Sequence, residues 1–188
     1  GLHVDGYLSV RLEALTQIID TFGGIKVYVP QEMDYGGSHL SQGYQTMDGA
    51  AAEFFLRTRH IYADSDLGRL RMQRYFYAAL FARMRSMTVW DIAKLLPVIT
   101  SQMETDLSST ELVSVAVSML KISSSNIMFC QIPVYMGQAI SYNGNSTVVV
   151  ARQETADLLN EYFRENTGPV DASQLNIAGD DGLFDLSG

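Results

Sequence analysis

Helical periodicity from Arg11 to Phe22, with Leu12, Leu15, Ile18, Ile19 and Phe22 on one side, stops at Gly23-Gly24. It gives way at once to the alternating run Ile25-Lys26-Val27-Tyr28-Val29, closed by Pro30. A chain that switches so abruptly from a period near 3.6 to a period of 2 has to pack helices against strands. The same exchange recurs along the sequence. Residues 4–10 read as a short strand, and the polar, glycine-bearing stretch from Gln31 to Gln45 as a surface loop or hairpin. Asp48-Gly49 leads into a helix over 50–56, and a longer helix is expected from Ser65 as N-cap to about Ser86. Helices over 88–97, with Thr88 as cap and Pro97 as stop, and over 108–120 follow. Strands are expected over 126–133 and 147–151, with a turn at Tyr142-Asn143-Gly144-Asn145, and a helix over 153–164. Strands separated by helices predict an α/β fold: three layers, α/β/α, with a central mixed sheet flanked by helices.

This core must hold without staples. One cysteine, Cys130, allows no internal disulfide and is expected as inert packing in an apolar strand. The scattered His3, His39 and His60 make a histidine metal cluster improbable, so no metal site is assigned to these residues. A domain of 188 residues that is 47% apolar has enough to build its own core. No apolar run approaches 18 residues, and the chain does not open on a basic and then apolar leader. The stretch 166–188 carries Asp171, Asp180, Asp181 and Asp185 with no base, and is expected to be an acidic, flexible tail behind a domain spanning 1–165.

The net charge of −8 argues against general nucleic-acid binding, and no helix-turn-helix is evident. Seven arginines (Arg57, Arg59, Arg69, Arg71, Arg74, Arg83, Arg85) against only Asp64 and Asp66 leave the window 57–85 at +5, and the remainder of the chain at −13. An arginine island in an acidic chain suits a compact anion, though a solvated helix face gives part of the same pattern.

Within the island, Arg57-x-Arg59 precedes Asp66-x-x-Arg69-x-x-x-Gln73. On a helix, positions 66, 69 and 73 lie at about 0°, 300° and 340°, on one narrow face. Guanidinium forks bind phosphate oxygens bidentately, and a helix N-terminus favours negative charge. The stripe continues through Leu70, Phe76, Tyr77, Leu80, Phe81 and Met84, so a diphosphate on a long hydrocarbon matches the face: anion at the arginines, tail on the stripe. The plainer alternatives are that the stripe is core, that Asp66 and Arg69 are an ordinary i,i+3 pair worth about 0.3–0.5 kcal/mol, and that Arg57 and Arg59 are merely solvated. Signatures of nucleotide loops, serine hydrolases and zinc proteases are absent.

The runs Asp20-Thr-Phe-Gly-Gly-Ile-Lys-Val-Tyr-Val-Pro30, Asp48-Gly49-Ala-Ala-Ala-Glu-Phe-Phe-Leu-Arg57-Thr-Arg59 and Asp66-Leu-Gly-Arg69-Leu-Arg-Met-Gln73 resemble the LytR-CpsA-Psr family, with support from Glu104-Thr-Asp106-Leu-Ser and from the strand expected over Asn126–Pro133. The resemblance covers about Val4 to Arg164. It implies a cell-envelope transferase moving wall teichoic acid or another anionic glycopolymer from a polyprenyl diphosphate carrier to peptidoglycan, at the extracellular face of a bacterial cytoplasmic membrane. It implies that Arg57, Arg59, Arg69 and Gln73 bind substrate, that Asp66 and Arg69 serve catalysis, and that Phe76, Tyr77, Leu80 and Phe81 contribute to a lipid pocket. Magnesium is implied too, its ligands expected outside this chain. Met72 stands where the family usually has another arginine, and the family's N-terminal half and membrane segment are expected upstream of Gly1. A non-catalytic module that binds such polymers is the alternative.

Overall fold

The computed structural model describes residues 2, 4–142, 145–175 and 177. It has the expected α/β class, in two compact units, Asp5–Phe129 and a second built chiefly from Cys130 onward.

In the first unit, β1 (Leu8–Val10) pairs antiparallel with β6 (Met103–Thr105), and α1 (Leu12–Thr21) follows β1. The helix ends where Gly23 and Gly24 adopt φ of +72° and +97°, the left-handed region that favours glycine. At Gly24 a side chain would also meet the Met47 carbonyl at 2.9 Å. Next, β2 (Ile25–Val29) turns Ile25, Val27 and Val29 inward and Lys26 and Tyr28 outward, as its alternation requires. The polar stretch 31–45 is a hairpin, β3 (Met33–Tyr35) and β4 (Ser38–Leu40), leading into β5 (Gly43–Met47), which pairs antiparallel with β2. Then come α2 (Gly49–Arg57), α3 (Asp66–Arg85), α4 (Val89–Gln102) and α5 (Ser109–Lys121).

One buried cluster holds this unit together. Ile19, Ile25, Val27, Val29, Met33, Leu40, Met47, Ala52, Phe55, Leu56 and Phe76 draw one face each from α1, β2, the hairpin, β5, α2 and α3. Burying a side chain such as Phe55 stabilises by about 1.5–3 kcal/mol. Gly49 lets α1 and α2 approach: a Cβ there would lie 2.6 Å from the Thr16 carbonyl oxygen. Asp20, in the last turn of α1, accepts a hydrogen bond from the Gly49 amide at 2.7 Å, and Asp48 caps α2 through the Ala51 amide at 2.8 Å.

In the second unit, β7 (Val134–Tyr142) and β8 (Asn145–Val150) pair antiparallel, and α6 (Arg152–Tyr162) follows. Several described residues beyond α6 are tied back to it. Asn160 exchanges two hydrogen bonds with Val170, and Arg152 donates to the carbonyls of Leu175 and Ile177. Residues 176 and 178–188 of the expected acidic tail, and the Asn143-Gly144 centre of the expected turn, lie outside the described residues.

Four details differ from expectation. The central mixed sheet is represented, among the described residues, by four two-stranded antiparallel ladders. Pro97 does not stop its helix: α4 runs through it, the Thr88–Asp91 capping box having started the helix two turns earlier. The strand expected over 126–133 begins instead at Val134. Pro133 has no N–H for a ladder, and only its carbonyl is used, accepting from Ala151 at 2.9 Å. Consequently Cys130, outside any ladder, is exposed rather than packed. No helix among the described residues is long and apolar enough to cross a membrane.

Candidate functional site

The end of α2 and the start of α3 are joined by a tight segment, residues 58–65, built from successive turns. Tyr62 N–H donates to the Arg59 carbonyl, Ser65 N–H to Tyr62, and Arg69 N–H to Ser65. Ser65 stands at the N-cap of α3 as expected but makes no side-chain cap bond; its φ of +49° and ψ of −108° are unusual for a residue with a side chain. Such a conformation costs on the order of 1–3 kcal/mol and persists where the surroundings impose it. Here they do. Tyr62 is buried with its hydroxyl on the Met33 sulfur, and burial pushes that phenol above its ordinary pKa. Gly68 allows the fit, because a Cβ there would lie 2.4 Å from Tyr62 Cβ and 2.6 Å from an Asp64 carboxylate oxygen.

This segment brings Arg57, Arg59 and Arg69 to one open cleft of about 630 Å³, whose other lining includes Tyr35, Ser38, Glu53, Phe54, Thr58 and His60. Asp66 lies between two of the arginines, 3.6 Å from Arg59 Nη1 and 3.2 Å from Arg69 Nη2. Arg57 pairs with Glu53 one turn earlier at 2.8 Å. The buried Nε–H of Arg69 has no hydrogen-bond partner. All three guanidiniums keep exposed surface and are held by carboxylates rather than buried.

The rest of the arginine island disperses. Arg71 pairs with Asp64, and its hydrogen bond holds that carboxyl below the usual range. Arg74 lies over the Tyr75 ring, and Arg83 over Phe22, whose carbonyl it also bonds. Arg85 sits in the last turn of α3.

Gln73 does not line this cleft. Its side-chain amide donates to the Leu56 carbonyl at 3.0 Å, tying α3 to the last turn of α2 beside Arg57. Of the apolar stripe, Phe76 is fully buried in the core, and Leu80 packs against that core. Tyr77 and Phe81 reach Phe129 with ring centroids 6.0 and 6.1 Å apart, an aromatic group that keeps part of Tyr77 and Phe129 at the surface. Sequence reasoning missed Tyr35, Ser38 and His60. Tyr35 and Ser38 sit in a stretch with no periodic signal, and only the β3–β4 pairing brings them to the arginines.

Magnesium requires several oxygen ligands. Among the described residues no three His, Cys, Asp or Glu side chains come together to hold a metal ion, and the cleft carboxylates Glu53 and Asp66 are each engaged by arginine. With Glu53 and Asp66 both held by arginine, the described residues here offer magnesium no uncommitted carboxylate, and the charge they supply to the cleft is that of Arg57, Arg59 and Arg69.

Residues 1–164 match the model of the LytR_cpsA_psr family. The chain is 27% identical over 177 residues to cell wall biosynthesis protein LcpA of Corynebacterium glutamicum, covering 91% of this chain and 33% of that protein. It is 31% identical over 113 residues to polyisoprenyl-teichoic acid–peptidoglycan teichoic acid transferase TagU of Oceanobacillus iheyensis, covering 60% of this chain and 35% of that one. Thus the chain spans about a third of the length of these curated relatives. In fold it is similar to a crystal structure described as a transcriptional regulator from Enterococcus faecalis, with a TM-score of 0.72, 21% identity, and coverage of 90% of this chain and 62% of that one.

Proposed function

The chain belongs to the LytR_cpsA_psr family, and from that premise we propose that it takes part in transferring an anionic glycopolymer, wall teichoic acid or a related envelope polysaccharide, from a polyprenyl diphosphate carrier to peptidoglycan. The names of its relatives, a cell wall biosynthesis protein and a teichoic acid transferase, support the reading. On this reading the protein works in a bacterial cell envelope, at the outer face of the cytoplasmic membrane.

The observation that carries the proposal is the convergence of Arg57, Arg59 and Arg69 on one cleft. A diphosphate presents several oxygens along two tetrahedra, and three forks on separate backbone positions can hold both phosphates at once. In the transfer, a peptidoglycan sugar hydroxyl attacks the phosphorus that bears the glycopolymer. The bridging P–O bond breaks, the polyprenyl phosphate departs, and the proton of the attacking hydroxyl passes to solvent. The guanidiniums stabilise the charge that builds on the departing phosphate, the kind of preorganised electrostatic help that carries most phosphoryl transfer. Asp66, committed to Arg59 and Arg69, is a positioning residue, and Gln73 positions the α2 terminus. The surface aromatics Tyr77, Phe81 and Phe129 offer apolar area for the prenyl chain.

Titration calorimetry with a short-chain polyprenyl diphosphate tests this. Arg59→Ala and Arg69→Ala should each weaken binding about 10- to 100-fold, the range for losing a charge-assisted contact. Arg85→Ala should change it less than two-fold. Equal affinities for all three variants would remove the site assignment. Release of the lipid phosphate by the chain distinguishes a transferase from a module that binds without turnover.

A further inference from the structure

The rim of the arginine cleft carries a feature that diphosphate binding does not use. Tyr35 and His60 stack with ring centroids 5.0 Å apart and planes 23° from parallel, and both line the cleft that holds Arg57, Arg59 and Arg69. They come from different places. Tyr35 ends β3, and its hairpin returns through Gly36-Gly37, at φ of +61° and +83°, so that Ser38 lies directly opposite Tyr35 in the ladder. His60 follows Arg59 in the segment whose geometry is fixed by buried Tyr62. Tyr35 remains about half exposed, so the pair keeps aromatic surface open to the cleft.

We infer that the Tyr35–His60 pair is a platform for a hexose ring, the first sugar on the glycopolymer side of the diphosphate, and so a specificity element of the same cleft. The inference rests on the diphosphate reading. At about 630 Å³ the open cleft offers more room than a diphosphate alone fills. A pyranose turns a face of C–H groups, with slight positive charge, toward an aromatic face, which is negative. Its hydroxyls need polar partners around that face, and the Ser38 hydroxyl and the Glu53 carboxylate line the same cleft. Because the sugar is joined directly to phosphate, a ring bound here is one bond away from the groups the arginines hold. The stacked pair is already formed in the free protein, so little ordering has to accompany binding.

The test compares two probes on the intact chain, a short-chain polyprenyl diphosphate with and without one hexose on its terminal phosphate, by titration calorimetry. The protein should bind the glycosylated probe more tightly. Tyr35→Ala should lower affinity for the glycosylated probe about ten-fold and leave the bare diphosphate unchanged; Tyr35→Phe, which keeps the ring, should behave like the parent protein. His60→Ala should act in the same direction as Tyr35→Ala, and unchanged thermal unfolding of each variant shows that the fold is intact. If Tyr35→Ala weakens both probes equally, or neither, the platform is wrong while the diphosphate site stands. If the parent protein binds neither probe, the diphosphate reading fails and takes the platform with it.

Discussion

At the level of single residues, the arginine island proves to be a mixture of two kinds of side chain. Arg57, Arg59 and Arg69 share a cleft, whereas Arg71, Arg74 and Arg83 are spent on Asp64, Tyr75 and Phe22. Helical geometry anticipated part of this, since at about 100° per residue Arg71 falls near 140°, on the side away from the face of Asp66, Arg69 and Gln73. Spacing could not tell that Gln73 would find a backbone carbonyl instead of the cleft, because the Leu56 carbonyl belongs to another helix. The Asp64–Arg71 pair gives a clean check. Arg71→Ala should return the Asp64 carboxyl upward to the ordinary range, read by its carboxyl carbon shift in an NMR titration. An unchanged titration would mean that the pair does not form in solution.

Among elements, the critical one is the turn-rich segment between α2 and α3. Gly68 decides its position, and substitution by alanine sets two effects against each other. Alanine gains roughly 1 kcal/mol of helix propensity over glycine, but its methyl would lie within 2.4 Å of Tyr62 Cβ. Overpacking of that kind costs about 1–3 kcal/mol, so Gly68→Ala should lower stability in denaturant unfolding and weaken diphosphate binding together. A stabilised variant with full affinity would show that the segment adapts freely. Much at this scale was legible beforehand: the Gly23-Gly24 stop, the alternation of β2, the Thr88 and Ser108 starts. What was not legible depended on partners distant in sequence. The β6 strand exists through Leu8, Ser9 and Val10, nearly a hundred residues earlier, and the polar look of 31–45, which left loop and hairpin both open, could not single out Met33 and Leu40 as the side chains its hairpin buries.

For the molecule as a whole, acid response follows from where carboxylates are used. Asp64 is lowered by its hydrogen bond with Arg71, Asp91 by the Thr88 amide and hydroxyl, and Glu111 and Asp171 by the hydroxyls and amides of Ser108 and Ser173. A group whose pKa is depressed on folding stabilises the native state above its unfolded value and loses that contribution as pH falls through its folded value. Stability should therefore be level near neutrality and decline once pH drops below about 4.5 for Glu111 and 3.8 for the aspartates. Thermal melts from pH 7 to 2 check the sign. A melting temperature that rises on acidification would contradict the capping roles. The α/β class, the family and the cluster of arginines were all accessible from sequence, because each rests on local pattern or ordered motif. The division into two compact units was not, since it is a property of contacts across the whole chain. Asp66 carries one more consequence. By resting between Arg59 and Arg69 it gives the cleft an internal counter-ion, so any incoming anion enters by exchange, not by addition. An exposed ion pair is worth up to about 1 kcal/mol, a toll that a small singly charged ion meets with one contact but a diphosphate meets with several. On the proposed diphosphate reading, the cleft would favour ligands long enough to replace Asp66 at both arginines together.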